Sequence, residues 1–81
     1  MYKMIEERLK MKPLDAASKF PDHYILMSMG SMEAVDGEVL SIADSYEAVF
    51  SALDALGEVP FWHITEGINL RTGVGGIVVR I

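Results

Sequence analysis

The chain has 81 residues, no cysteine, 51% hydrophobic residues and a formal net charge of −5. This length allows a single domain over 1–81, and the absence of cysteine excludes disulfides, thiolate metal sites and thiol catalysis. Because small secreted domains usually need disulfides, a cytoplasmic location is expected. Charged residues near the start interrupt any signal-peptide core, and no apolar run approaches the roughly 20 residues of a membrane span.

Residues 2–11 are predicted to form a helix. Glu6 and Lys10 are spaced as a favourable i,i+4 ion pair. Ile5 and Leu9 have the same spacing and mark an apolar side. The pattern is typical of an amphipathic helix, so a helical N-terminal segment is expected.

A second, shorter helix is predicted over 13–19. Proline suits the first turn of a helix, so Pro13 marks its start. Pro21 marks its end, because a residue that precedes proline avoids helical geometry. Leu14 and Ala17 are expected to face inward.

Two strands joined by a turn are predicted next. Residues 23–29 are rich in β-forming side chains, and 38–43 follow with apolar residues on one side. The dipeptide Asp36-Gly37 between them is a strong turn signal. The two strands are therefore expected to pair as an antiparallel hairpin.

The clearest predicted element is a helix over 45–56. Asp44 is a suitable N-cap, and Glu47 follows at the spacing of a capping box. Gly57 suits the left-handed residue that ends a helix. One apolar face recurs at helical spacing, formed by Tyr46, Val49, Phe50, Leu53 and Leu56.

Two more strands, at 59–65 and 76–81, complete the predicted order. The elements indicate an α+β fold, with a helical N-terminal segment at 1–20 followed by a β-β-α-β-β body at 21–81. Hairpins on either side of a helix imply one mainly antiparallel, four-stranded sheet, with helix 45–56 packed on one face.

The motifs FPDHYILM, DGEVL and DSYEAVFSAL follow one another over residues 20–57. In this order they resemble small uncharacterised prokaryotic domains, in which a Phe/Tyr-Pro segment precedes an aromatic-led strand, a glycine turn, a second strand and a capped helix. The resemblance implies a ββαβ-type fold. It implies no activity, and the loop and strand that follow residue 66 form a longer tail than the pattern has.

Three methionines, Met27, Met29 and Met32, lie within six positions. Thioether sulfur suits Cu(I), so the run is a candidate metal site. Side chains alternate along a strand, however, which places Met27 and Met29 on one face with Ile25. Such a row is typical of a strand beneath a helix or a second subunit, and methionine fills irregular core gaps. Packing is favoured, with Met32 in a loop, and no metal or cofactor is expected.

The segment RTGVGG at 71–76 combines an arginine with three glycines. Glycine-rich backbone beside an arginine can cradle an anion, which makes the segment a candidate anion-binding loop. Specific phosphate loops lead into a helix, whereas this one leads into a predicted strand. A hairpin loop that uses glycine for positive φ is therefore favoured. The candidate anion-binding residues are Arg71, Gly73, Gly75 and Gly76.

Phe61, His63 and Val78 are the candidate interface residues. Phe61 and Trp62 alternate faces, so one ring should lie on the sheet face away from the helix, and aromatic residues concentrate at interface centres. His63 has a side chain that can act as a base near neutral pH. No serine or aspartate is linked to it in sequence, so a surface or interface histidine is favoured and no catalytic residue is assigned. Val78 lies in a strand that is apolar on both sides and needs cover on both.

Charge and hydrophobicity indicate which kinds of partner the protein can bind. Residues 1–20 hold five of the seven bases and three of the twelve acids, which leaves +2 there and −7 over 21–81. An acidic body repels a phosphate backbone, so nucleic acid is not an expected partner. A small chain with 51% hydrophobic residues exposes some of them, and assembly into a homodimer is the simplest remedy.

Three functions are consistent with these features. The first is a non-enzymatic interaction module that self-associates and can also bind another protein. The second is a small-molecule or anion-binding protein, or a minor enzyme, that uses the 71–76 loop. The third is an acidic inhibitor or antitoxin-like protein whose body mimics an anionic ligand. The first is favoured, because composition and charge distribution both support it.

Overall fold

The computed structural model describes residues 1–31, 33–73 and 78–80. In this part of the chain, an antiparallel sheet of five strands carries one helix on each face, and neither helix is long and apolar enough to cross a membrane. The strand order is β1-β3-β2-β4-β5. The elements in chain order are β1 (Tyr2–Met11), α1 (Pro13–Lys19), β2 (Tyr24–Met29), β3 (Gly37–Ala43), α2 (Tyr46–Leu56), β4 (Trp62–Glu66) and β5 (Val78–Arg80).

Each face of the sheet has its own core. Alternation along β2 divides them, since Leu26 points to one face while Ile25 and Met27 point to the other. Burying each large side chain contributes roughly 1.5–3 kcal/mol. The α2 core consists of Leu26, Ala43, Ala48, Val49, Ala52 and Ile64. The α1 core consists of Ala16, Ile25, Met27, Met29 and Val39.

The predicted helix over 2–11 is wrong, because these residues form the edge strand β1 and pair antiparallel with β3. The prediction of a helical segment followed by a four-stranded sheet is corrected accordingly: the chain enters the sheet at once, and the sheet has five strands. The hairpin of β2 and β3 and the helix after it lie where the sequence predicts them, within one residue at each end.

The apolar pattern of β1 fits a strand as well as a helix, and a bulge interrupts its pairing. Met4 is opposite Ser41 and Leu9 is opposite Val39, so residues 5–8 face a single residue of β3. Ile5, Leu9 and Met11 pack against the α1 core and Met4 against the α2 core, so odd and even positions take opposite faces on both sides of the bulge. A spacing of four residues returns a side chain to the same face in a strand as well as in a helix. The spacing of Ile5 and Leu9 therefore fits both structures.

The helix α1 occupies the predicted range, but it faces the sheet differently. Ala16 and Ala17 are buried, whereas Leu14 is 70% exposed, so the prediction that Leu14 faces inward is wrong. Ala16 lies two residues after Leu14, about 200° around the helix axis. The small alanine side chains allow the helix backbone to approach the sheet closely.

Ser45, rather than Asp44, caps α2. Its Oγ accepts a hydrogen bond of 3.2 Å from the N–H of Ala48, which satisfies one free donor of the first turn. Asp44 instead accepts a 2.7 Å hydrogen bond from the terminal ammonium group of Met1. Gly57, with φ 81°, donates its N–H to two carbonyl groups of the last turn and ends the helix.

The strand β4 begins three residues later than predicted, because Pro60 and Phe61 form a turn. Phe61 has φ 51°, a left-handed conformation that a bulky residue rarely adopts. Its carbonyl oxygen accepts from the N–H of Met29 at 3.0 Å, and Ser28 Oγ donates to the carbonyl oxygen of Pro60 at 3.0 Å. These bonds fasten the turn to the end of β2 and direct Trp62 onto the face of the α2 core.

Candidate functional site

Four aromatic side chains form a continuous row between α2 and the sheet, here called the aromatic row. The ring centroids of Tyr24 and Tyr46 are 5.7 Å apart, and those of Tyr46 and Phe50 are 5.2 Å apart. Phe50 and Trp62 follow at 6.0 Å, with an edge-to-face angle of 85°. Edge-to-face contact is a favoured arrangement of aromatic rings, so the rings hold one another in place. Tyr46 and Phe50 are nevertheless 40% and 39% exposed.

The aromatic row is open to solvent because α2 covers only part of the sheet. The helix packs on β1, β3 and β2, and β4 lies at its margin beside β2. Tyr46 and Phe50 are one helical turn apart, and they contact Tyr24 of β2 and Trp62 of β4, respectively. Trp62 projects from β4 on the same face, opposite Ser28.

The predicted core face of α2 includes Tyr46 and Phe50, but in the structure smaller residues of the helix occupy the core. The fully covered side chains of the helix are Ala48, Val49 and Ala52. The available signal was the presence of three small apolar side chains within five positions. Small side chains allow close contact with a sheet, which leaves the aromatic residues at the edge of the contact.

A groove continues the aromatic row beyond Trp62. It has a volume of about 530 Å³ and lies between the end of α2 and the start of β4. The exposed Glu58 forms part of its wall. The groove is lined by Leu53, Gly57, Glu58, Val59, Pro60 and Trp62.

Acidic residues flank both ends and the outer side of the aromatic row. Glu58 lies at the groove end, and Glu66 is opposite Tyr24 in the β2–β4 register at the other end. Glu47 and Asp54 are exposed three and four residues from Phe50 on α2, where helical spacing makes them its neighbours. No lysine or arginine occurs between residues 21 and 70. We call these four acids the acidic rim: Glu47, Asp54, Glu58 and Glu66.

In the predicted anion-binding loop, the backbone N–H groups already donate hydrogen bonds to Asn69. Asn69 Oδ1 accepts from the N–H groups of Arg71 at 2.9 Å and Thr72 at 3.3 Å, and the Asn69 carbonyl oxygen accepts from the N–H of Gly73 at 2.7 Å. Gly73 has the positive φ, 71°, expected of a loop glycine. An anion would have to displace these bonds to reach the backbone. The other two glycines of this prediction lie outside the described residues: Gly75 and Gly76.

The three candidate interface residues occupy different environments. Phe61 is 45% exposed and lines a groove at the end of β2. His63 is 2% exposed and lies opposite Met27, on the face of the α1 core. The burial of His63 corrects the expectation of a surface histidine, and it leaves a partner or a substrate almost no surface to contact. Val78 pairs with Thr65 in the β4–β5 register, and its side chain is outside the described part of the structure.

Two methionines of the run, Met27 and Met29, belong to the core. Met27 and Met29 are 0% and 3% exposed and share the face that strand alternation predicts, beneath α1 rather than α2. Met32 lies outside the described residues. Within 1–31, 33–73 and 78–80, no three His, Cys, Asp or Glu side chains are grouped so that they could hold a metal ion.

Comparison of the chain with protein-family models, curated proteins and solved structures found no match. The similarity of residues 20–57 to small prokaryotic ββαβ domains therefore stays a prediction.

Proposed function

We propose that this protein is a non-enzymatic interaction module that binds other polypeptides through the aromatic row. The observation that carries the proposal is the exposure of Tyr46 and Phe50 within a chain of ring contacts. Aromatic residues dominate binding energy in protein interfaces. Rings that already hold one another in place lose little further freedom when a partner binds, which lowers the cost of association.

A peptide library displayed on phage tests this proposal. Selected peptides should bind the native protein and lose most of their affinity for Phe50→Ala, which removes the central ring. Leu14→Ala is the matched control, because Leu14 is exposed on the other side of the sheet. Peptides that bind both variants equally well, or a failure to select any peptide, would contradict the proposal.

Self-association is a second candidate, and surface apart from the aromatic row supports it. Leu14, Val35 and Leu70 are 70%, 71% and 71% exposed. A second copy that covered these side chains would remove apolar surface from water, which is favourable. Sedimentation velocity at micromolar concentration should show a homodimer, and a monomer at every concentration would remove this candidate.

The remaining hypotheses have unequal support. The geometry gives little support to an anion-binding or enzymatic role, because the N–H groups of 71–73 donate hydrogen bonds to Asn69 and His63 is buried. The acidic rim supports an acidic inhibitor or antitoxin-like role, because its carboxylates can bind a basic partner. The cytoplasmic location expected from the lack of cysteine stays a prediction.

A further inference from the structure

We propose that the aromatic row and the acidic rim together bind an extended segment of a partner polypeptide that carries lysine or arginine. This inference rests on the proposed function and adds the chemistry of the partner. The three distances between successive ring centroids are 5.2 to 6.0 Å, which makes the aromatic row about as long as five residues of extended chain. The groove beyond Trp62 lengthens the same path.

Aromatic rings and carboxylates recognise a cationic side chain in complementary ways. The faces of tryptophan and tyrosine attract an ammonium or guanidinium group, while the carbon stem of the same side chain packs on the ring. Glu66 beside Tyr24 and Glu58 beside Trp62 place a carboxylate at each end of the aromatic row. A segment with two cations a few residues apart would therefore meet both a ring and an acid at each end.

The acidic rim argues against an uncharged partner segment. Such a segment would cover Glu58 and Glu66 without supplying a counter-charge, and burial of an unpaired charge is costly. A cationic segment offsets the desolvation of the same two carboxylates. Charge complementarity of this kind also raises the rate of association and excludes acidic competitors.

The same charges argue against a second copy of this chain at the aromatic row. A two-fold contact would place the acidic rim of one copy against that of the other. By register, Lys10 lies on the same sheet face, but it pairs with Glu38 and is three strands away from Trp62. A separate basic partner therefore fits this surface better than self-association, which the exposed leucines favour elsewhere.

Fluorescence titration tests the inference directly, because Trp62 is the single tryptophan of the chain. The probes are three synthetic dodecapeptides without tryptophan, which alternate serine with lysine, glutamate or leucine. We expect the lysine peptide alone to change Trp62 emission saturably, with an affinity that falls as salt rises from 50 to 500 mM.

Matched variants separate the site from diffuse attraction to an acidic protein. Phe50→Ala should weaken lysine-peptide binding about tenfold, the loss expected for a desolvated cation–π contact. The pair Glu58→Gln with Glu66→Gln should also weaken it. Glu7→Gln with Asp15→Asn makes the same charge change on exposed positions of β1 and α1, and should have little effect. Circular dichroism verifies that each variant is folded.

Each other outcome has a definite meaning. Equal weakening by the two charge-neutralising pairs would reduce the binding to diffuse electrostatics and overturn the inference. A leucine peptide that binds in a Phe50-dependent manner, with no binding of the lysine peptide, would overturn the inference but leave the interaction surface standing. If no peptide affects Trp62, the inference fails, and the phage selection decides the proposed function separately. A change in Trp62 emission with protein concentration alone would assign the row to self-association and overturn the inference.

Discussion

At the scale of single residues, Gly67 occupies a close approach between two backbone segments. Its N–H donates to the carbonyl oxygen of His23 at 2.7 Å, which fastens the end of β4 to the segment before β2. A Cβ at this position would overlap the carbonyl oxygen of Phe20 and lie 2.8 Å from that of His23. Both obstacles are backbone atoms, which cannot rotate away, so only glycine fits here.

Gly67→Ala should therefore lower the free energy of unfolding by about 1–3 kcal/mol, the usual range for forced overpacking. Urea denaturation followed by Trp62 fluorescence measures the effect. Gly30→Ala serves as the control, since a Cβ there meets nothing within 4 Å and the residue does not have positive φ. Equal stability of the two variants would show that the 20–23 segment is not held against β4.

A second prediction at this scale concerns Asp44 and pH. The hydrogen bond from the terminal ammonium group lowers the pKa of the Asp44 carboxyl below its usual value. A carboxyl whose pKa is lower in the folded state adds stability above its unfolded pKa, near 4, and that stability is lost as pH falls through the folded pKa.

Asp44→Asn should accordingly be less stable than the parent protein at pH 7, and the difference should vanish in acid. Urea denaturation at a series of pH values measures it. The effect is small, because the side chain is exposed and solvent screens the pair. It should shrink in 1 M salt. A difference that persists at pH 2 or in 1 M salt would mean that the contact is not electrostatic.

At the scale of elements, β1 shows how tertiary pairing overrides local preference. Helix propensity is worth at most a few tenths of a kcal/mol for most residues, and a single i,i+4 ion pair about as much. Pairing with β3 satisfies backbone groups along two stretches of β1 and adds apolar side chains to both cores. These gains involve residues 26 to 41 positions away, which no local pattern reveals.

Hydrogen exchange followed by NMR checks this assignment. Within 2–4 and 9–11, the amides that point towards β3 should be protected, whereas 5–8 should exchange quickly because the bulge interrupts pairing there. The central strand β2, which has neighbours on both sides, supplies the protected reference. Uniform protection over 2–11 would instead indicate a helix.

At the scale of the whole molecule, one sheet separates two cores that must fold together. Alternate residues of β2 serve opposite cores, so loss of packing on one face loosens the strand that the other face needs. A domain of this size usually unfolds in a single cooperative transition. The two cores should therefore report the same stability.

Met27→Ala, in the α1 core, should lower the free energy of unfolding by about 2–5 kcal/mol, the range for truncating a buried methionine. The loss should appear equally in far-ultraviolet circular dichroism and in the fluorescence of Trp62, which packs on the opposite face. The exposed Leu14→Ala should change stability little. Two separate transitions would mean that the cores fold independently.

Local patterns predicted much of this protein from sequence. Pro13 marks the start of α1 and Gly57 the end of α2, because proline fixes φ in the helical range and glycine accepts positive φ. Strand alternation likewise placed Met27 and Met29 on one buried face. The aromatic pair Phe61-Trp62 also drew attention to the surface that now carries the proposed function.

Only the tertiary structure decided what distant segments do to one another. The pairing of β1 with β3, the burial of His63 and the assembly of the aromatic row all depend on contacts between residues far apart in the chain. Sequence periodicity reports which residues share a face of one element. It carries no information on how far a helix extends across a sheet, and the limited reach of α2 is what leaves Tyr46 and Phe50 exposed beside Trp62.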